Sequence, residues 1–288
     1  MKRVSTHLFA GASGLEAIAR KLRAFLAEET PLIRHSALGW IRQVRTCSIR
    51  NINLSDSCLT LILSGRKLLP GKQPDGALTL PSGTLVHFPA GESISCTNIP
   101  ENGEYLALTL AFAKETLFRV HQRTADAQRR EPAPEPLLPA TLERFLDALR
   151  LGDPVLAEMQ QEQILYLLWK AGMDVFSFQD EMISRIRGLV EAEPCRKWTS
   201  ESLADALCMS ERTLRRHLGK SGTTSAELVR MSRLHVGLSL LQRRGMRVGE
   251  VARECGYESQ SRFAERFRER FGLNPAEVLA ARGIQEQG

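Results

Sequence analysis

The side chains best equipped for chemistry in this chain are arginines near its end. In "RVGEVARECGYESQSRFAERFRERFG" (Arg247–Gly272), arginine recurs about every fourth residue and phenylalanine stands at 263, 267 and 271. A guanidinium is always charged, and its planar fork matches a phosphate or the O6/N7 edge of guanine; glutamine can pair with adenine in the same bidentate way. Arginines on one face of a helix, with phenylalanines behind them, suit the binding of a polyanion. Other chemistries are poorly supplied. The six cysteines (47, 58, 96, 195, 208 and 255) show no C-x-x-C and no metal-type spacing, and read as reduced, buried residues. "VHFPAGE" offers His87 and Glu92 without a second nearby histidine, so no metal site is expected and no cofactor is implied. His87 reads as a residue of the β structure, with an effector contact as the alternative.

The charge agrees with a polyanion partner. The 288 residues carry a formal net charge of +6, and residues 196–288, with 17 Lys+Arg against 11 Asp+Glu, hold all of it; residues 1–195 balance 22 against 22. Asymmetry of this kind separates a polyanion-binding part from a neutral one. No apolar run is long enough to span a membrane, and the N-terminus lacks the apolar core of a signal peptide, so a cytoplasmic protein is expected.

The elements that must position these residues follow from periodicity. Residues 38–112 read as short strands separated by "PGKQPDG", "PSG", "PAG" and "PENG", the texture of an all-β barrel or sandwich. A proline-rich linker is expected at 123–140, then a helical hairpin over 140–172 interrupted at Gly152–Pro154, a helix near 180–191, and helices to about Gly283. Two short units stand out in the last part. In the first, Ser200 is expected to cap a helix burying Leu203, Ala204 and Leu207, Cys208-Met209 breaks it, and Ser210 caps a second helix burying Leu214 and Leu218. The outer face of that second helix carries Arg212, Thr213, Arg215 and Arg216. In the second unit Val251, Ala252 and Cys255 bury the first helix, Gly256 turns the chain at positive φ with Tyr257 behind it, and Ser259 caps a helix that buries the phenylalanines. Its exposed side carries Gln260, Ser261, Arg262 and Arg266. Each unit has the order of a helix-turn-helix that enters a major groove. Between them Ser225–Gly245 reads as one helix with Leu228, Met231, Leu234, Leu238 and Leu241 inward. About 18 helical residues span ~27 Å, enough to hold the reading helices about one DNA turn (~34 Å) apart.

"LADALCMSERTLRRHL", "RLHVGLSLL" and "VGEVARECGYESQSRFAERFRERFGLNPAEV" resemble the C-terminal domain of AraC/XylS-type bacterial transcription regulators. The resemblance implies a seven-helix domain with two helix-turn-helix units. It also implies base contacts from Arg212, Arg215 and Arg216 in the first reading helix and Gln260, Ser261 and Arg262 in the second. The chain departs from the family at Glu265, where arginine is frequent, at Val278-Leu279, where Tyr-Arg is usual, and at Gly237, where alanine is usual and glycine is expected to soften the helix. "LTLILSGRKLL", "YLALTLAF" and "LRLGDPVLAEMQQEQILYLLWKAG" are similar to the cupin-like N-terminal domain of one AraC-type subgroup, which implies a small effector-binding β-barrel followed by dimerising helices.

The expectation is therefore an α+β multidomain chain. Residues 1–175 would form a cupin-like sensing and dimerisation domain, with its β-barrel and helical hairpin. Residues 180–288 would form an all-α double helix-turn-helix domain. The expected function is a non-enzymatic regulator of transcription, an activator by family resemblance, binding double-stranded promoter or operator DNA as a homodimer, contacting RNA polymerase and answering to a small-molecule effector. The alternatives are control by a partner protein, and a cupin-type enzyme with an appended DNA-binding domain.

Overall fold

The computed structural model describes residues 5–8, 12–27, 38–54, 56–71, 76–125, 137–176, 180–243 and 246–283. Most of the linker expected at 123–140, and the centre of the 70–76 turn, lie outside the described residues.

Strand β1 (Ser5–Leu8) and helix α1 (Ala12–Ala27) open the chain. Eight strands follow: β2 (Leu38–Gln43), β3 (Cys47–Asn53), β4 (Ser57–Ser64), β5 (Arg66–Leu69), β6 (Leu78–Leu80), β7 (Thr84–Phe88), β8 (Ser93–Ile99) and β9 (Tyr105–Phe112). They pair antiparallel in two sheets, β1-β7-β4-β9-β2 and β3-β8-β5-β6, and not in one continuously bonded barrel. Ile62, Val86, Phe88 and Ala107 of the first sheet meet Leu69, Leu80, Ile94 and Cys96 of the second. The alternate residues Leu59, Leu61, Leu85, Leu108 and Leu110 face the other way, under a layer of helices. Strands β4 and β9 are nearly unbroken apolar runs because both their faces are covered.

That second layer contains α1, α2 (Lys114–Thr124), α3 (Leu137–Leu151) and α4 (Pro154–Lys170). The α3–α4 hairpin turns at Gly152, whose φ is 69°, and Asp153 caps α4 by accepting from the Leu156 N–H at 2.9 Å. Arg119 of α2 pairs with Glu158 and Glu162 of α4 and fixes the two helices side by side. His87 lies on this helical side of its sheet, where Ser57 Oγ and its Nε2 share a hydrogen bond of 2.6 Å. Cys47, Cys58, Cys96 and Cys255 are buried as expected, whereas Cys195 and Cys208 are exposed, the latter because it occupies the turn of the first unit at φ 56°.

Seven helices complete the fold: α5 (Glu181–Ala192), α6 (Ser200–Ala206), α7 (Glu211–Lys220), α8 (Ser225–Arg243), α9 (Val248–Glu254), α10 (Gln260–Phe271) and α11 (Pro275–Ala281). One core joins α5 to the first unit through Ile186, Val190, Leu203, Leu207, Leu214, Leu218 and Leu228. Another gathers Leu234, Leu238 and Leu241 of α8 with Val251, Cys255 and the three phenylalanines. Val278 and Leu279, in place of the usual Tyr-Arg, are fully buried and close this core from α11.

The second core does not end at the helices. Cys47 and Ile49 of β3 belong to it. The main chain of the turn after β2 also docks on α11, with the Val44 and Arg45 N–H groups donating to Ala281 O at 2.7 and 3.2 Å. Strand β3 carries a bulge between Ile49 and Ile52, where Asn51 takes φ 53°, and its Nδ2 donates to Arg270 O at the end of α10. Arg270 donates to Asn53 Oδ1 at 2.7 Å, and the Asn53 N–H donates to His235 Nε2 at 3.1 Å.

His235 must be neutral to accept that bond. Burial lowers its pKa to about 3, with repulsion from Arg270 and Arg187 adding to the effect. Burial likewise takes His87 down to about 4, partly offset by Asp174. Both pKa values are depressed from about 6.5 in the unfolded chain, so the unfolded state binds the extra protons. Their stabilisation is complete above pH ~6.5 and is lost on acidification towards the folded values, at up to about 1.4 kcal/mol per pH unit and histidine. We expect the denaturation midpoint to fall between pH 7 and pH 5, and His235→Gln to show a clearly shallower fall. Equal slopes for the two proteins would contradict the role given to His235.

Candidate nucleic-acid interface

Both units are built from local capping. In the first, Thr199 and not Ser200 is the cap: Thr199 is the last extended residue, and its hydroxyl accepts from the Ser202 N–H at 3.1 Å while Ser202 Oγ accepts from the Thr199 N–H at 2.8 Å. Ser200 is the first helical residue. Ser210 caps α7 and Ser259 caps α10, each accepting at 3.2 Å from the N–H three residues on. Ala204 and Leu203 of α6 are buried against α7.

Helix α7 shows Arg212, Thr213, Arg215 and Arg216 to solvent, and α10 shows Gln260, Ser261 and Arg262. Arg266, one turn further along α10, is half-buried. Three of these side chains have intramolecular partners. Arg215 pairs with Glu211 at 2.6 Å, Arg266 with Glu269 at 2.8 Å, and the Thr213 and Ser210 hydroxyls bond at 2.9 Å. Exposed pairs of this kind are worth at most ~1 kcal/mol, so they exchange readily for an external anion. Asp180 caps α5 and also meets His217 of α7 at 3.2 Å. Burial works against its charge, but the His217 bond and the Ile183 and Met182 N–H groups outweigh it and hold the carboxyl below its ordinary range.

The two units are locked to one another across Gly256. Its φ is 71°, in line with the positive φ expected there, but a second reason for glycine appears only in three dimensions: a Cβ there would lie 2.8 Å from Pro194 O and 3.1 Å from Cys195 Cα. Arg233 of α8 donates to Pro194 O and Arg196 O, both at 2.9 Å. Cys195 Sγ lies 3.0 Å from Arg253 O, its acceptor at the end of α9. Above this junction a cleft of about 380 Å³ separates the units, lined by Trp198, Tyr257, Arg230, Arg233, Arg262 and Arg266. The sequence does not single out Arg230 and Arg233, because the pattern of α8 is carried by its inward leucines.

Comparison with known proteins agrees with this geometry. Residues 203–281 match the family model of a helix-turn-helix domain. This part of the chain is an AraC-type domain. The chain is 27% identical over 119 residues to the urease operon transcriptional activator of Escherichia coli, covering 40% of each protein. It is 31% identical over 94 residues to the HTH-type transcriptional regulator YdeO of Escherichia coli K12, covering 33% of this chain and 37% of that one. The chain thus spans well under half the length of these two relatives. A longer match, 23% over 177 residues, reaches 62% of the regulator AdiY of Escherichia coli K12. The whole fold, beyond the AraC-type domain, is similar to ToxT of Vibrio cholerae. The apo form of a single-site ToxT variant superposes with a TM-score of 0.60 at 13% identity, over 85% of this chain and 96% of that one. The wild-type form solved with an unsaturated fatty acid gives 0.55 at 16%, over 88% and 99%.

Within the AraC-type domain, Gly237 has a role that helix propensity does not reveal. A Cβ on it would stand 2.8 Å from Cζ of Phe263 and 3.3 Å from Sγ of Cys255. Glycine therefore lets α8 and α10 approach closely. Propensity alone would have Gly237→Ala stabilise by about 1 kcal/mol. We expect it instead to destabilise by about 1–3 kcal/mol through overpacking, measured by chemical denaturation.

Proposed function

We propose that this protein is a sequence-specific, DNA-binding regulator of transcription, an activator, in which residues 180–288 read promoter DNA through both units. In this reading Arg212, Thr213, Arg215 and Arg216 face one stretch of major groove, Gln260, Ser261, Arg262 and Arg266 face the next, and α7 and α10 are the reading helices. The observation that carries the proposal is the pair of capped, outward-facing basic helices held apart by the single buried helix α8. The names of the relatives, a urease operon activator and HTH-type regulators, point the same way. Residues 1–175 would sense a small molecule, as the fatty-acid-bound ToxT structure suggests for a shared fold. RNA polymerase is the proposed partner at the promoter, and the cytoplasm the proposed location. No helix of the described residues is long and apolar enough to cross a membrane, and among them no group of three His, Cys, Asp or Glu could hold a metal.

The same N-terminal part would form a homodimer. The outer side of the α3–α4 hairpin leaves Leu151, Val155, Met159 and Tyr166 exposed, with relative exposures of 76%, 67%, 61% and 43%. Val155, Met159 and Tyr166 lie on one helix at spacings that bring them towards one side. Sedimentation of the full chain at about ten to a hundred micromolar, where a weak dimer is populated, should show a dimer, and Val155→Glu with Met159→Glu should return it to monomer. A monomeric wild-type chain would remove the dimer from the reading.

For base reading, Arg215→Ala and Arg262→Ala should each weaken specific binding by about 1–3 kcal/mol with the fold intact. Affinity should fall steeply with salt as phosphate contacts release counterions. Footprints of both variants that match wild type at equal salt would take these residues out of the interface.

A further inference from the structure

Gln161 stands where the inward stripe of α4 asks for an apolar residue. Its neighbours on that stripe, Ala157, Ile164, Leu165 and Leu168, are all 1% exposed or less, and Gln161 itself is 7% exposed. Its side-chain amide nevertheless makes no hydrogen bond among the described residues. A buried amide with neither its donors nor its acceptor served carries a desolvation cost that a leucine of similar size would not. The amide borders a cavity of about 560 Å³.

The cavity lies where α2, α4 and the turn before β4 meet α5. Asp56 precedes β4, Lys114, Glu115 and Thr116 open α2, and Glu181, Ser184 and Arg185 face them from α5. Four carboxylates line it, Asp56, Glu115, Glu158 and Glu181, against two cations, Lys114 and Arg185. Glu181 is matched by Lys114 at 3.2 Å, and Glu158 by Arg119. Among the described residues Asp56 and Glu115 form neither an ion pair nor a side-chain hydrogen bond. Of the lining cations only Arg185 is left for them, and it is turned to solvent. Burial first, and then the charge of Glu115, hold the Asp56 carboxyl above its ordinary range. Arg187 offsets only part of this, because it also serves Glu191.

We propose that this cavity binds a short aliphatic diamine, its ammonium groups facing Asp56 and Glu115 and the Gln161 amide oxygen accepting from one of them. An ammonium has three N–H donors and no acceptor, which suits two unmatched carboxylates and an unserved amide oxygen. A metal ion is a poorer fit, since among the described residues no group of three His, Cys, Asp or Glu could hold one. The volume equals roughly nineteen waters at ~30 Å³ each, ample for a four-carbon chain with its two charged ends. Helix α5 packs on the first unit through Ile186 and Val190. An occupant touching Glu181, Ser184 and Arg185 therefore bears on the support of α7. That last step rests on the reading of residues 180–288 as the DNA-binding part; the site itself does not.

The test uses the full-length protein at fixed ionic strength, with titration calorimetry and thermal stability as readouts. The probe is 1,4-diaminobutane, and the controls are butane-1,4-diol and magnesium chloride. The diamine should bind saturably and raise the melting temperature, and neither control should. Asp56→Asn should weaken diamine binding by tenfold or more. Gln161→Leu should weaken it by roughly three- to tenfold, with the free variant at least as stable as wild type. The proposal is overturned if the diamine does not bind at up to tens of millimolar, if the diol or magnesium binds as well, if Asp56→Asn binds normally, or, should that variant not fold, if Gln161→Leu binds normally. Footprinting without any amine separates the two levels. DNA binding with no diamine binding sinks this site alone, and diamine binding by a protein that ignores DNA sinks the regulatory reading alone.

Discussion

The C-terminal part depends on one helix being buried on several sides. Leu228 and Val229 of α8 complete the core of the first unit, and Leu234, Leu238 and Leu241 complete the core of the second. Neither unit has enough apolar surface of its own to be stable alone, since each contributes two helices of seven to twelve residues. Sharing α8 makes them one body, and the tight spots at Gly237 and Gly256 show how little slack remains between its parts. The positions of the arginines relative to one another are therefore properties of a packed core and not of the arginines.

The same helix meets the N-terminal sheets. His235 accepts from Asn53, and residues 235, 238, 239 and 242 line a cavity shared with Lys67 of β5. Strand β3 grips the end of α10 through its bulge, with Asn51 in a conformation that few residues other than glycine and asparagine tolerate. Any ligand that favours one arrangement of this junction biases the reading helices by its difference in affinity for the two arrangements, and by no more than that.

Much of this is legible in the sequence, for reasons that can be named. The 38–112 strands stand out because turn residues punctuate short apolar runs, and the phenylalanine stripe at 263, 267 and 271 admits only one buried face. The serine caps at 210 and 259 follow from their place before a periodic run. The features that escape are either weakly patterned or depend on contacts distant in sequence. Helices α1 and α2 and strand β1 are not among the elements expected from the sequence, although Leu15, Ile18 and Leu22 carry a helical spacing. The cap at Thr199 stands beside an equally plausible serine. Gly237 looks like a weakness of α8, since nothing local reports the ring of Phe263 lying against it. The buried Lys67 sits in "GRKLL", an ordinary strand-edge sequence, and only the pairing of β5 with β8 brings Cys96 and Asn98 to its head. His87, the histidine that the sequence brings forward, is on the other side of its sheet from that cavity.

Helix α8 is also a phase gauge. Its 19 residues carry the chain from one reading unit to the next without a break. Each residue of an α-helix rotates the next by about 100° and advances it by ~1.5 Å. A single inserted residue would swing α9 and α10 around the axis by more than a quarter turn and drag Phe263 off Gly237. Only insertions near whole multiples of a turn would keep the rotational setting, and these would lengthen the distance between the reading helices in steps of about 5.4 Å. Length variation in this segment is thus closed to gradual change, whereas the residues on the outer faces of α7 and α10 can be exchanged one at a time.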